Sequence, residues 1–123
     1  MQPYPHGELV IVLDCRDLER SAAFWSEVLG YHGYGGGTGP YRSLHPPETG
    51  PELLLQRVPE QKEHKNRLHL DLRTPDLAAE VARVVEAGAV VLTPEPIEED
   101  GWRWHILGDP DGNEFCVLQP PTG

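Results

Sequence analysis

Residues 66–76, NRLHLDLRTPD, alternate leucines with His69, Asp71 and Arg73. Successive side chains of an extended strand point to opposite faces, so one face is aliphatic and the other carries an imidazole, a carboxylate and a guanidinium. The first two can exchange protons or bind metals, and the third can hold an anion. A core does not tolerate three such neighbours unless they pair, so the pattern reads as the lining of a pocket. The structural alternatives are a buried histidine satisfied by a polar neighbour and an ion pair of Asp71 with Arg73 or across strands.

Near the other end of the chain, Glu114 and Cys116 alternate with Phe115 and Val117. In a half-closed concavity the Glu114 carboxyl is expected to titrate above its usual range, which suits a general acid or base near neutral pH. Cys116 reads mainly as a small hydrophobe; a nucleophilic pairing with His69 is the sharper alternative. The segment GWRWHI, residues 101–106, puts Trp102, Trp104 and Ile106 on one strand face, and tryptophan faces suit flat aromatic or cationic ligands when they do not simply fill a core.

The elements that would position these groups are written twice. VIVLDCRDLERSAAFW, residues 10–25, and HLDLRTPDLAAEVARV, residues 69–84, each run from a strand through a short turn to an Asp-Leu pair that opens a helix. Asp17 and Asp76 are N-caps, whose carboxylates accept from free amides of the first turn. Leu18, Ala22, Trp25 and Leu29 recur at helical spacing, as do Leu77, Val81, Val84 and Val85, and Gly30 and Gly88 end the two stripes. Trp25 belongs to the first stripe and is assigned to the core.

Further strands are expected around 40–45 and 52–58, then 89–93, 102–107 and 114–119, with the weakest signal at the glycine-rich 31–35. The reading is α+β: one domain over 1–123 made of two βαβββ modules, about 7–58 and 66–119, with helices outside an open concave groove. Leu68, Leu70 and Leu72, with Phe115 and Val117, would face the helices, leaving His69, Asp71 and Arg73 to the groove. Asp14 takes in the first module the place of Arg73 in the second, so a pair bridging the modules is a further option. Residues 32–43, HGYGGGTGPYRS, lack the lysine and the setting of a phosphate-binding loop and read as a mobile pocket edge. His64 and Lys65 fall in the linker and read as solvated.

The duplicated plan, the DPDGNEF turn at 109–115 and the strand LHLDLRTPDL together resemble the vicinal oxygen chelate superfamily, which includes glyoxalase I, bleomycin and fosfomycin resistance proteins and extradiol dioxygenases. The resemblance covers about residues 7–119 and is nearest to the glyoxalase-like subgroup. It implies a metal, where one is present, held by one residue from the first and last strand of each module: Val10, Gln56, His69 and Cys116 here. Val10 cannot coordinate. The usual last-strand carboxylate is replaced by Cys116, and Glu114 sits two residues earlier on the same face, about 7 Å away. No cofactor is therefore expected; a divalent metal, if held, would use His69, Cys116 and Gln56. The resemblance also implies that the Trp102 strand lines the groove and that the chain forms a homodimer.

A formal charge of -10, from 10 Lys and Arg against 20 Asp and Glu, argues against nucleic acid or an anionic membrane as partner. No apolar stretch approaches the roughly 18 residues of a membrane span. Two cysteines make no disulfide framework and the first ten residues lack a signal-peptide pattern, so the expectation is a cytoplasmic protein with reduced thiols.

Three functions are in view. The first is a metal-independent lyase or isomerase: Glu114 moves a proton, His69 assists, Arg73 holds an acidic substituent, and Trp102 and Trp104 clamp the substrate, with Asp71, Gln56 and Cys116 also lining the site. The second is a protein that sequesters a drug or metabolite, aromatic or cationic. The third, a metal-dependent glyoxalase or dioxygenase, needs ligands the chain mostly lacks.

Overall fold

The computed structural model describes residues 3–34 and 39–122, the side chains of Pro3 and Tyr34 excepted. They form two compact units, 1–61 and 62–123.

In the first unit a two-strand hairpin, β1 (Pro3–Tyr4) with β2 (Gly7–Glu8), precedes β3 (Val10–Cys15), α1 (Leu18–Leu29), β4 (His32–Tyr34), β5 (Tyr41–His45) and β6 (Glu52–Arg57). The sheet order is β3-β6-β5-β4, with β3 parallel to β6 and the other pairs antiparallel. A parallel pair needs a crossover, and α1 supplies it. The helix begins where Asp17 accepts from Arg20 N at 3.1 Å and ends at Gly30, whose φ of 69° is the left-handed closing conformation. Leu18, Ala22, Trp25 and Val28 are buried, and Phe24 meets Trp25 edge-on at 5.0 Å. The glycine-rich loop reading falls partly on 35–38, which lie outside the described residues.

The second unit repeats the plan: β7 (Leu70–Arg73), α2 (Leu77–Ala87), β8 (Val90–Val91), β9 (Ile97–Glu99), β10 (Trp102–Gly108) and β11 (Glu114–Gln119). β7 is parallel to β11, β11 antiparallel to β10, and both β8 and β9 pair with β10. Asp76 caps α2 through Ala79 N at 3.1 Å, and Gln119 Oε1 of β11 accepts from Leu77 N at 2.8 Å. One more first-turn amide is thereby satisfied and the helix is tied to the sheet it covers. Leu77, Val84, Leu107, Phe115 and Val117 form this unit's core.

Several expectations change. The strand starts at Leu70 and does not include Leu68, because residues 67–68 are a bend. Leu68 is consequently not on the helix-covered face but 82% exposed. Val85, expected in the α2 stripe, is exposed as well, so the helix buries a narrower face than its periodicity suggests. The expected strand at 89–93 shortens to Val90–Val91, and β9, which the sequence reading omitted, pairs with the far end of β10.

Candidate functional site

The site is built on the face of the second sheet that α2 does not cover. Strand register sets its rows: Asp71 lies beside Cys116 and Cys116 beside Ile106, while Arg73 lies beside Leu118 and Leu118 beside Trp104. Alternation puts Glu114, Cys116 and Leu118 on this face and Phe115 and Val117 under the helix. The register itself is held by the 109–113 turn. Asp109, only 3% exposed, accepts from Asp111 N, Asn113 N and Asn113 Nδ2 at 2.9, 2.8 and 3.1 Å. Gly112 takes a φ of 83°, which side chains rarely adopt.

These rows line a pocket of about 480 Å³ whose wall is Trp102, Trp104, Ile106 and Leu118 and whose polar end is Lys65, His69, Asp71, Glu114 and Cys116. Arg73 and Glu99 border the aromatic wall. Seven predicted residues, His69, Asp71, Arg73, Trp102, Trp104, Glu114 and Cys116, therefore meet here. Gln56, the remaining predicted residue, is half-buried in the first unit on β6, beside Asp14 of β3 and Tyr41 of β5.

The pairing differs from the Asp71–Arg73 ion pair that was one structural alternative of the sequence reading. His69 Nδ1 lies 3.1 Å from Asp71 Oδ1, and the Arg73 guanidinium stands over the Trp102 ring at 5.2 Å from its centroid. His69 lies just before β7, two residues from Asp71 and within reach of it, whereas Arg73 is drawn to the π-cloud on β10. A carboxylate only accepts, so Nδ1 carries the proton in that bond.

Glu114 overturns its expected titration. Lys65 Nζ donates to Oε1 at 2.7 Å, and with the more distant Lys62 and His69 this holds the carboxyl below its usual range even though burial opposes it. Lys65, read from sequence as a solvated linker residue, is 72% exposed yet supplies this bond. The linker is held there by Asn66 Nδ2, which donates to Glu114 O at 3.0 Å. Linker polarity alone carried no signal for this contact. Burial, then the charge of the Asp71 carboxylate beside it, push the Cys116 thiol up to about 11, which disfavours the reactive thiolate.

His69, Asp71 and Cys116 each offer one ligand atom, and these atoms lie within 4.8 Å of one another. Three donors of mixed N, O and S type meet the ligand count of a zinc-class centre, with Asp71 in the place expected of Gln56. Sequence reasoning named Asp71 as pocket lining but not as a ligand, because its proximity to Cys116 arises from parallel pairing of β7 with β11.

A family model described as a glyoxalase-like domain matches residues 10–118. A glyoxalase/bleomycin resistance protein/dioxygenase family enzyme from Burkholderia phytofirmans has a similar fold, with a TM-score of 0.71 at 18% identity over 89% of this chain and 95% of that one. A hypothetical protein from S. aureus aligns with a TM-score of 0.69 at 21% identity, covering 94% and 99%. TioX from Micromonospora gives 0.64 at 18%, covering 92% and 98%. At these identities the likeness is one of fold. A comparison with curated proteins finds no match.

Proposed function

Because the chain belongs to the glyoxalase-like domain family, whose fold hosts unrelated chemistries, we propose its function from the pocket: it binds a small, flat organic molecule bearing an acidic substituent. The carrying observation is the Arg73 guanidinium stacked on Trp102 beside Trp104, Ile106 and Leu118. The apolar wall takes a ring, and the in-plane N–H groups of Arg73 are oriented to pair with a carboxylate or similar anion at its edge. Among the described residues no helix is long and apolar enough to cross a membrane.

Titration with small aromatic acids, followed by tryptophan fluorescence, tests the reading. Saturable quenching that Arg73→Leu weakens supports it. Quenching equally strong for neutral or cationic rings, and indifferent to Arg73, sinks it.

A lyase or isomerase is the second reading, favoured by the 3.1 Å contact of His69 with Asp71. Asp71 orients the ring so that Nε2 can take a proton from a bound molecule, the arrangement a general base needs. Glu114 then serves as a charged acceptor held by Lys65 rather than as the proton carrier. Loss of turnover in His69→Gln with ligand affinity retained supports this; affinity and turnover falling together leave a binding protein. A divalent cation, when bound at the polar end, would supply Lewis acidity there.

A further inference from the structure

We propose that Arg16, Arg42 and Arg57 of the first unit form a binding site for the phosphate group of a small phosphorylated molecule. The site goes beyond the ring-binding reading and shares no residue with the Arg73 pocket.

Backbone pairing brings the three arginines together. Arg16 follows Cys15 at the end of β3, and Cys15 lies beside Arg57 at the end of the parallel strand β6. Arg42 on β5 lies beside Leu55, two residues before Arg57. Alternation therefore puts Arg42 and Arg57 on the same side of the sheet as the buried Leu55, and on the opposite side from Gln56. Two bonds fix these strand ends: Arg57 N donates to Pro40 O at 2.6 Å, and Val58 N donates to Cys15 O at 2.8 Å. The arginines line a cavity of about 440 Å³. Small-molecule sites run to roughly 300–1,000 Å³, so the space suits a phosphate together with what carries it.

Charge and hydrogen bonding decide the class of occupant. Three of the chain's 10 Lys and Arg meet at this cavity although the formal charge of the chain is -10. Asp17 and Glu19 are the carboxylates that line it with them. Asp17 is committed to the first turn of α1, where it accepts from Arg20 N at 3.1 Å, so the arginines rather than the helix end carry the site. Glu19, whose side chain is 80% exposed, accepts from Arg42 Nη2 at 2.6 Å. Arg42 Nε is buried and has no hydrogen-bond partner among the described residues. A guanidinium binds an oxyanion best through two donors at once, and Glu19 leaves this one unused. Glu19 is thus a place-holder: an entering phosphate takes over Arg42 and supplies the acceptor that Nε lacks, while the exposed carboxylate turns to solvent at little cost. With Glu19 displaced, three guanidiniums face Asp17 alone. A phosphate monoester, close to a dianion at neutral pH, meets that balance, whereas a carboxylate meets half of it.

The experiment is calorimetric titration of the full chain with glycerol 3-phosphate and with inorganic phosphate, in chloride buffer of low ionic strength, with acetate as the carboxylate control. One equivalent of the ester should bind with a Kd below about 1 mM, and acetate about tenfold more weakly or worse. Arg16→Gln and Arg57→Gln, both at exposed positions, should each weaken binding about tenfold or more. Glu19→Gln should tighten it about two- to fivefold, a gain that losing a merely structural ion pair would not give. Arg20→Gln, which removes an equal charge outside the cavity, and Arg73→Leu in the second unit should leave it unchanged, with thermal unfolding confirming that each variant is folded. Absence of saturable binding overturns the proposal, and binding of the free ion alone overturns the assignment to a phosphorylated molecule. So does a loss on Arg20→Gln as large as that on Arg57→Gln, or a Glu19→Gln variant that binds no tighter. A loss confined to Arg73→Leu would put the anion in the ring-binding pocket, ending this site while leaving that reading intact.

Discussion

Lys65 Nζ and Glu114 Oε1 are 2.7 Å apart although 49 residues separate them in the chain, and this bond is the largest influence on the Glu114 carboxyl. It holds the carboxyl below its usual range although burial acts the other way. The depressed value means that the bond's contribution is present above the ordinary carboxyl pKa of 4.5 and is lost as pH falls through the lower folded value. Lys65→Met should therefore move the acid-unfolding midpoint to higher pH and cost at most about 1 kcal/mol at neutral pH, since Lys65 is largely exposed. Added salt should shrink the difference. Superimposable acid curves for the two proteins would remove this role of Lys65.

Replacing Arg73 tests charge and shape separately. Arg73→Leu should weaken binding of an aromatic acid by about 1.5–3 kcal/mol, the range for hydrogen bonds to charged groups. Arg73→Lys should recover only part of it, because an ammonium has neither the planar fork nor the same stacking on Trp102. Calorimetric titration of the two variants reads the difference, and equal affinities would discount the guanidinium geometry.

Asp109 is buried and accepts three hydrogen bonds within its own turn, so Asp109→Ala leaves those donors without their partner. We expect a loss of about 2–3 kcal/mol in urea unfolding, larger than for a surface change. Because the turn sets the β10–β11 register, ligand binding should fall with it. A variant as stable as the parent would show that other contacts hold the register.

Cys116 should react slowly with iodoacetamide in the native metal-free protein, since its thiol is buried and pushed up to about 11. The raised value also carries a stability consequence: the unfolded thiol ionises from 9.0 upward while the folded one stays protonated, so stability falls as pH rises from 9.0 through about 11. Peptide mapping after timed labelling distinguishes Cys116 from Cys15. Labelling of Cys116 as fast as in urea would contradict the burial argument.

The sequence by itself determined the local elements and their duplication. Asp17 and Asp76 cap both helices, Gly30 and Gly88 close them, and strand alternation put Trp102, Trp104, Cys116 and Asp71 on one side. These features depend on residues within a few positions of one another, where the periods of helix and strand leave little freedom. Tertiary structure decided the partners: that Asp71 serves His69 and Cys116 rather than Arg73, that Arg73 stacks on Trp102, and that Lys65 reaches across to Glu114. Each of those contacts is set by which strand lies beside which and in what register, or by how a linker is tied back to the sheet. Protonation followed from them, because a carboxyl or thiol titrates according to the charges placed beside it in space, whatever its neighbours in the chain.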